Sequence, residues 1–138
     1  MDEIDRIIID NLLTNARISK AVLARKLNIT ETAIRKRLKK LESSGTIVGY
    51  KAIVDYEKAE LVASITGVDF EPEKLWKVIE YLKALDEVKM IFLTSGDHMM
   101  MVEIAVKSVD KLKEVHEKIG SYDGVVRVCP AILIKGCK

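Results

Sequence analysis

Apolar positions in the first third of the chain recur at helical spacing, and the rhythm breaks at capping residues. Asp2 can cap a helix whose inward positions are Ile4, Ile7, Ile8 and Leu12, with Asn15 in the break that follows. Ser19 heads KAVLARKL, where Val22, Leu23 and Leu27 point inward and the small Ala24 lets another helix approach. Asn28 tolerates the left-handed backbone that ends a helix in a sharp turn. Thr30 then caps a third helix, with Glu31 in its first turn where the dipole favours an anion, and Gly45 ends it. Short helix, tight turn and longer helix make a helix-turn-helix. Residues 46–54, TIVGYKAIV, alternate towards their end and predict a linking strand.

The pattern changes after residue 60. Four runs of strand character, LVASITGVDF, KMIFLT, MMMVEIAV and VVRVCPAILI, enclose two amphipathic stretches. Residues 71–91 lie on residues 108–128 at an offset of 37, matching Lys74 with Lys111, Leu75 with Leu112, Val78 with Val115 and Leu82 with Ile119. The order is strand-helix-strand twice, joined by a turn at Ser95-Gly96-Asp97. This predicts a ferredoxin-like βαββαβ unit, an antiparallel sheet with two helices on one face. The fold class is α+β: a (winged) helix-turn-helix domain over 1–45, a connector over 46–60 and a ferredoxin-like domain over 61–138. Met90, Phe92, Met99, Met101, Ile104, Val106, Val128 and Ile132 leave few polar positions for the uncovered sheet face. A bare apolar face predicts self-association, with a two-fold homodimer as the simplest closed arrangement.

Charge sharpens this division. The net charge is only +2, but residues 1–55 hold 11 Lys/Arg against 7 Asp/Glu, and the remainder is net acidic. Five bases fall between Arg35 and Lys40. At about 100° per residue, Ile34, Leu38 and Leu41 form the inward stripe of the third helix, and Thr32, Lys36 and Lys39 lie opposite. Arg35 and Lys40 flank that face, while Arg37 sits nearer the buried edge. A polar start followed by a basic remainder suits a helix whose N-terminal part meets base edges and whose later part meets phosphates. Thr30, Thr32, Ala33, Arg35, Lys36, Arg37, Lys39 and Lys40 are therefore the candidate contacts to double-stranded DNA. A merely solvated charged face is the plainer alternative; the capped helix-turn-helix spacing argues against it.

Little else in the chain carries chemistry. No apolar run approaches the ~20 residues a membrane span needs, and the acidic start MDEIDRIIID is not that of a secretory signal, so a cytoplasmic protein is expected. Cys129 and Cys137 make no disulfide framework, and two histidines and two cysteines in the whole chain form no zinc pattern. No catalytic arrangement stands out, and no cofactor or metal is expected. Trp76 is expected in the core or an interface, His116 on a helix without a partner, and the three methionines 99–101 in strand or interface packing.

The opening DEIDRIIIDNLLTNARIS, the segment IRKRLKKLESSGTIVGYKAIVD and the turn TSGD together resemble the leucine-responsive regulatory protein/AsnC family of bacterial and archaeal transcription regulators. The likeness spans nearly the whole chain. It implies a DNA-binding domain, a linking strand and an α/β effector domain, in dimers that often build tetramers or octamers. It further implies an amino-acid site at a subunit interface near the turn, here Ser95, Gly96, Asp97, His98 and Met99. The family commonly reads Gly-x-Tyr/Phe-Asp there. This chain puts His98 in the aromatic slot and Met99 in the acidic one, so Asp97 is the nearest substitute acceptor for a ligand's ammonium. Two other functions compete with sequence-specific regulation. One is a DNA-compacting architectural protein. The other is an enzyme like the tetrapyrrole-decarboxylating branch of the family, whose acidic macrocycle would need His and Arg; this effector half has a single arginine, Arg127.

Overall fold

A computed structural model describes all residues, Met1–Lys138, and divides them into two compact units, Met1–Ile53 and Val54–Lys138.

The first unit is three helices, α1 (Glu3–Thr14), α2 (Lys20–Leu27) and α3 (Glu31–Ser43). Each begins on its expected cap. Asp2 accepts from the Asp5 N–H at 2.8 Å, Ser19 from Val22 at 3.1 Å and Thr30 from Ala33 at 3.1 Å. Asn28 takes φ 53°, ψ 46°, and the Ile29 N–H returns to the Ala24 carbonyl at 3.0 Å, which fixes the turn between α2 and α3. Ile8, Leu23, Ala24, Ile34, Leu38 and Leu41 form the core, and Ile47 packs on it from beyond α3. Burial of a side chain such as Ile34 contributes roughly 1.5–3 kcal/mol, so this small unit rests on a handful of residues.

The strand expected over 46–54 takes no ladder partner within the chain. Strands need a paired edge, and the side chains of Val48 and Ile53 stand exposed in this segment.

The second unit has strands β1 (Val62–Phe70), β2 (Val88–Leu93), β3 (Met100–Val106) and β4 (Val125–Ile132), with helices α4 (Leu75–Lys83) and α5 (Val109–Gly120). The sheet is antiparallel in the order β2-β3-β1-β4. Val78, Ile79 and Leu82 of α4 and Leu112, Val115 and Ile119 of α5 bury Val68, Phe70, Met100, Val102 and Ile104 on one sheet face. Directly paired residues share a face. Ile104, Val106 and Val128 therefore belong to the covered face, as does Ile132 through its pairing with Ser64, which corrects their expected placement on the bare one. A period of two cannot put both Met101 and Ile104 outside.

The outer face carries Ile65, Met90, Phe92 and Met101, with Phe92 still 52% exposed. It is less uniformly apolar than expected. Glu103 lies beside Ile65 and Met90, and the Tyr56 hydroxyl donates to it at 2.5 Å, which pushes the phenol up to about 12. Two further expectations change. His116 has partners: its Nε2 lies 2.7 Å from Thr66 Oγ1 and 3.2 Å from Ser64 Oγ beneath the sheet, and burial lowers its pKa. Of the two places expected for Trp76, the core is excluded, for it stands 72% exposed on α4, and an interface is the one left. Cys129 and Cys137 are free thiols.

Candidate nucleic-acid interface and effector turn

The outward face of α3 is assembled by the three core residues on its other side. With Ile34, Leu38 and Leu41 buried, Thr32, Arg35, Lys36, Lys39 and Lys40 are all exposed. None of these four bases forms an ion pair within the chain. Their charge is therefore available to an outside anion. The Thr30 hydroxyl is engaged as the helix cap, so its contribution is to fix the start of α3, and Ala33 is half-buried beside it. A groove of about 820 Å³ runs along the unit, lined among others by Ser19, Lys20, Arg35, Lys39 and Tyr50.

Arg37 is the exception in the basic run. Its Nη1 donates to Asp2 Oδ2 at 2.6 Å and to Asp5 Oδ1 at 3.1 Å, tying α3 to the start of α1. The Arg37 guanidinium and then the Asp5 N–H hold the Asp2 carboxyl below its ordinary value. Asp5 is buried, and Arg37 is its counter-charge. In the free chain the side chain is thus drawn towards α1, whereas Arg35, Lys36, Lys39 and Lys40 stand open. The position of Arg37 towards the buried edge was the available signal.

The turn between β2 and β3 is closed at its base. The Thr94 N–H donates to the Met99 carbonyl at 3.0 Å and the Thr94 hydroxyl to the His98 carbonyl at 2.7 Å. Ser95, Gly96 and Asp97 form the exposed tip, where Gly96 takes φ +119°, a value that favours glycine. His98 and Met99 are half-buried. The His98 ring lies against Gly67 of β1, where any Cβ would collide with it.

A residue that sequence reasoning missed organises this end of the sheet. Asp69 of β1 accepts from the Met99 N–H at 2.9 Å through Oδ1, and from His98 Nδ1 and Arg127 Nε at 3.1 Å each through Oδ2. A carboxylate can only accept, so His98 carries its proton on Nδ1. The Met99 N–H, followed by His98 and Arg127, keeps the Asp69 carboxyl below the usual range against the opposing effect of partial burial. The carboxylate that holds this turn against β1 is thus that of Asp69.

A basic recognition-type helix in one unit and a separate α+β unit fit a DNA-binding protein with a second functional domain. Comparison with known proteins agrees. Residues 1–48 match the winged helix-turn-helix DNA-binding model, and residues 63–138 match the Lrp/AsnC ligand binding domain. The chain is 44% identical over 140 residues to the HTH-type transcriptional regulator LrpA of Pyrococcus horikoshii, covering 100% of this chain and 99% of that one. It is 33% identical over 129 residues to LrpA1 of Halobacterium salinarum, covering 91% and 90%. Among solved structures, Escherichia coli AsnC superposes with a TM-score of 0.69 at 25% identity, over 100% of this chain and 95% of that one. The NMB0573/L-Met complex from Neisseria meningitidis shares the fold with a TM-score of 0.73 at 20% identity, over 100% and 92%. The chain belongs to the Lrp/AsnC family. Like the relatives it matches, it is a DNA-binding transcription regulator. No helix is long and apolar enough to cross a membrane.

Proposed function

We propose that the chain is a cytoplasmic, sequence-specific regulator that reads DNA with the front of α3 and responds to a small molecule at the β2–β3 turn. The observation that carries the DNA reading is the unpaired basic face of α3. Thr32, Ala33, Arg35 and Lys36 are the base-reading candidates, and Lys39 and Lys40 meet phosphates. A bidentate Arg or Lys contact to guanine gives about 1–3 kcal/mol of discrimination.

The assembled form is a dimer formed through the outer sheet face, where Ile65, Met90, Phe92 and Met101 remain uncovered in a single chain. Residues 46–60 serve as the connector, and the exposed Val48 and Ile53 support their pairing with the same segment of a second copy. Higher assemblies, tetramers or octamers, build on that dimer. A dimer presents two recognition helices to half-sites about 34–36 Å apart.

The effector is an amino acid or a related small molecule, a reading supported by the matched ligand-binding domain and by the L-Met complex of the Neisseria relative. Genomic footprinting tests the whole reading. It should reveal paired half-sites at helical-turn spacing, and Arg35→Ala or Lys36→Ala should relax preference at one base position per half-site. Uniform weakening without relaxation would assign those two side chains to phosphates instead.

A further inference from the structure

The donors around Asp69 are the kind that recognise a carboxylate. One is a main-chain N–H, one an imidazole N–H and one a guanidinium N–H, and they converge on two oxygens at 2.9, 3.1 and 3.1 Å. Charge-assisted bonds of this type are the strong ones. All three come from outside β1: two from the turn and one from β4. Asp69 itself is 17% exposed at its side chain, so the cradle opens to solvent on the outer face. The room for it exists because residue 67 is glycine. The His98 ring occupies the space a side chain would take there, with its Nδ1 3.1 Å from the carboxylate.

We propose that Met99 N–H, His98 Nδ1 and Arg127 Nε form a carboxylate-binding cradle that Asp69 fills in cis, so that a ligand's carboxylate enters only by displacing it. The biological use of the cradle rests on the effector reading above; the cradle itself stands on the geometry. Asp69 has two effects. It holds the turn against β1 while the site is empty, and it competes with every free carboxylate. Intramolecular attachment gives it a high effective concentration, so free amino acids bind the wild type weakly. A ligand that does bind must release the 94–99 turn from β1. That release is the structural change an effector would impose on the outer face.

Removing the internal acid should turn the cradle into an open site for small carboxylates. The test uses full-length Asp69→Ala and the simplest carboxylate probe, acetate, against chloride at matched ionic strength. Acetate should raise the thermal midpoint of Asp69→Ala saturably, as a ligand of the native state does, while leaving the wild type no different from its chloride control. Adding Arg127→Ala should abolish the rescue. If Asp69→Ala does not fold, Asp69→Ser keeps a hydroxyl on the strand but is too short to fill the cradle, so acetate calorimetry on it asks the same question. No acetate-specific stabilisation of Asp69→Ala, or for the substitute variant no acetate heat, would overturn the proposal. Calorimetry of Asp69→Ala against amino acids then separates the two readings. Binding about tenfold or more tighter than wild type supports displacement of Asp69 by the effector. Acetate rescue with no amino acid bound upholds the cradle and removes amino acids as the effector.

Discussion

Arg37 and Lys39–Lys40 stand within four residues of one another, yet they should behave oppositely on DNA. Lys39 and Lys40 have no partner in the chain, whereas Arg37 is engaged by Asp2 at 2.6 Å and Asp5 at 3.1 Å. Each phosphate left without its lysine lowers the slope of log affinity against log salt by about 0.9. Lys39→Ala/Lys40→Ala should therefore flatten the slope by about 1.8 per recognition helix, or about 3.6 for a two-helix complex. Over a fourfold rise in salt, the wild type should then lose about two orders of magnitude more affinity than the double variant. Arg37→Ala should leave the slope unchanged and instead lower the melting temperature, because it strips the buried Asp5 carboxylate of its counter-charge. Fluorescence anisotropy with one duplex across a salt series, below the melting temperature of each variant, reads the difference. An Arg37→Ala slope as flat as that of the lysine pair, or an unchanged slope in the lysine variant, would refute the assignment.

Further outcomes follow from the two cores. His116 is held below its ordinary 6.5 by burial, so the unfolded chain binds its proton more readily, and stability should fall as pH drops below about 6.5 towards the folded value. His116→Gln should lessen that loss in urea unfolding at pH 7 and pH 5; an identical pH dependence would mean that His116 is not buried as described. Gly67→Ala should expel the His98 ring, break its bond to Asp69 and cost about 1–3 kcal/mol, with an unperturbed His98 proton spectrum as the contrary result. Ile34→Ala, at a fully buried position, should destabilise the helical unit by about 2–5 kcal/mol in denaturant unfolding, and a loss under about 1 kcal/mol would contradict the core described.

The parts legible in the sequence are those set by local chemistry. Caps at Asp2, Ser19 and Thr30 and the left-handed Asn28 act over three or four residues, so their types at those spacings place all three helices. The second unit was readable because its repeat shows the same strand-helix-strand pattern twice. Pairings over long separations were not readable. Asp69 meets His98, Met99 and Arg127 across 29, 30 and 58 residues, and nothing in the run VASITGVDF marks its acid as different from a surface one. His116 likewise finds Ser64 and Thr66 about 50 residues away. The sheet-face assignment failed for another reason. Hydrophobic residues on both faces of β3 hide the alternation that would separate Met101 from Ile104, and only the ladder register resolves it.

Sequence-specific recognition by the open basic face of α3 is the claim on which the functional account turns, and one ratio tests it. A duplex recovered by footprinting and a scrambled duplex of equal length should be titrated with wild-type protein at a single fixed salt near the physiological range. A preference of about 10³-fold or greater for the recovered site is expected. Equal affinity for both duplexes would contradict it and leave a protein that coats DNA without reading it.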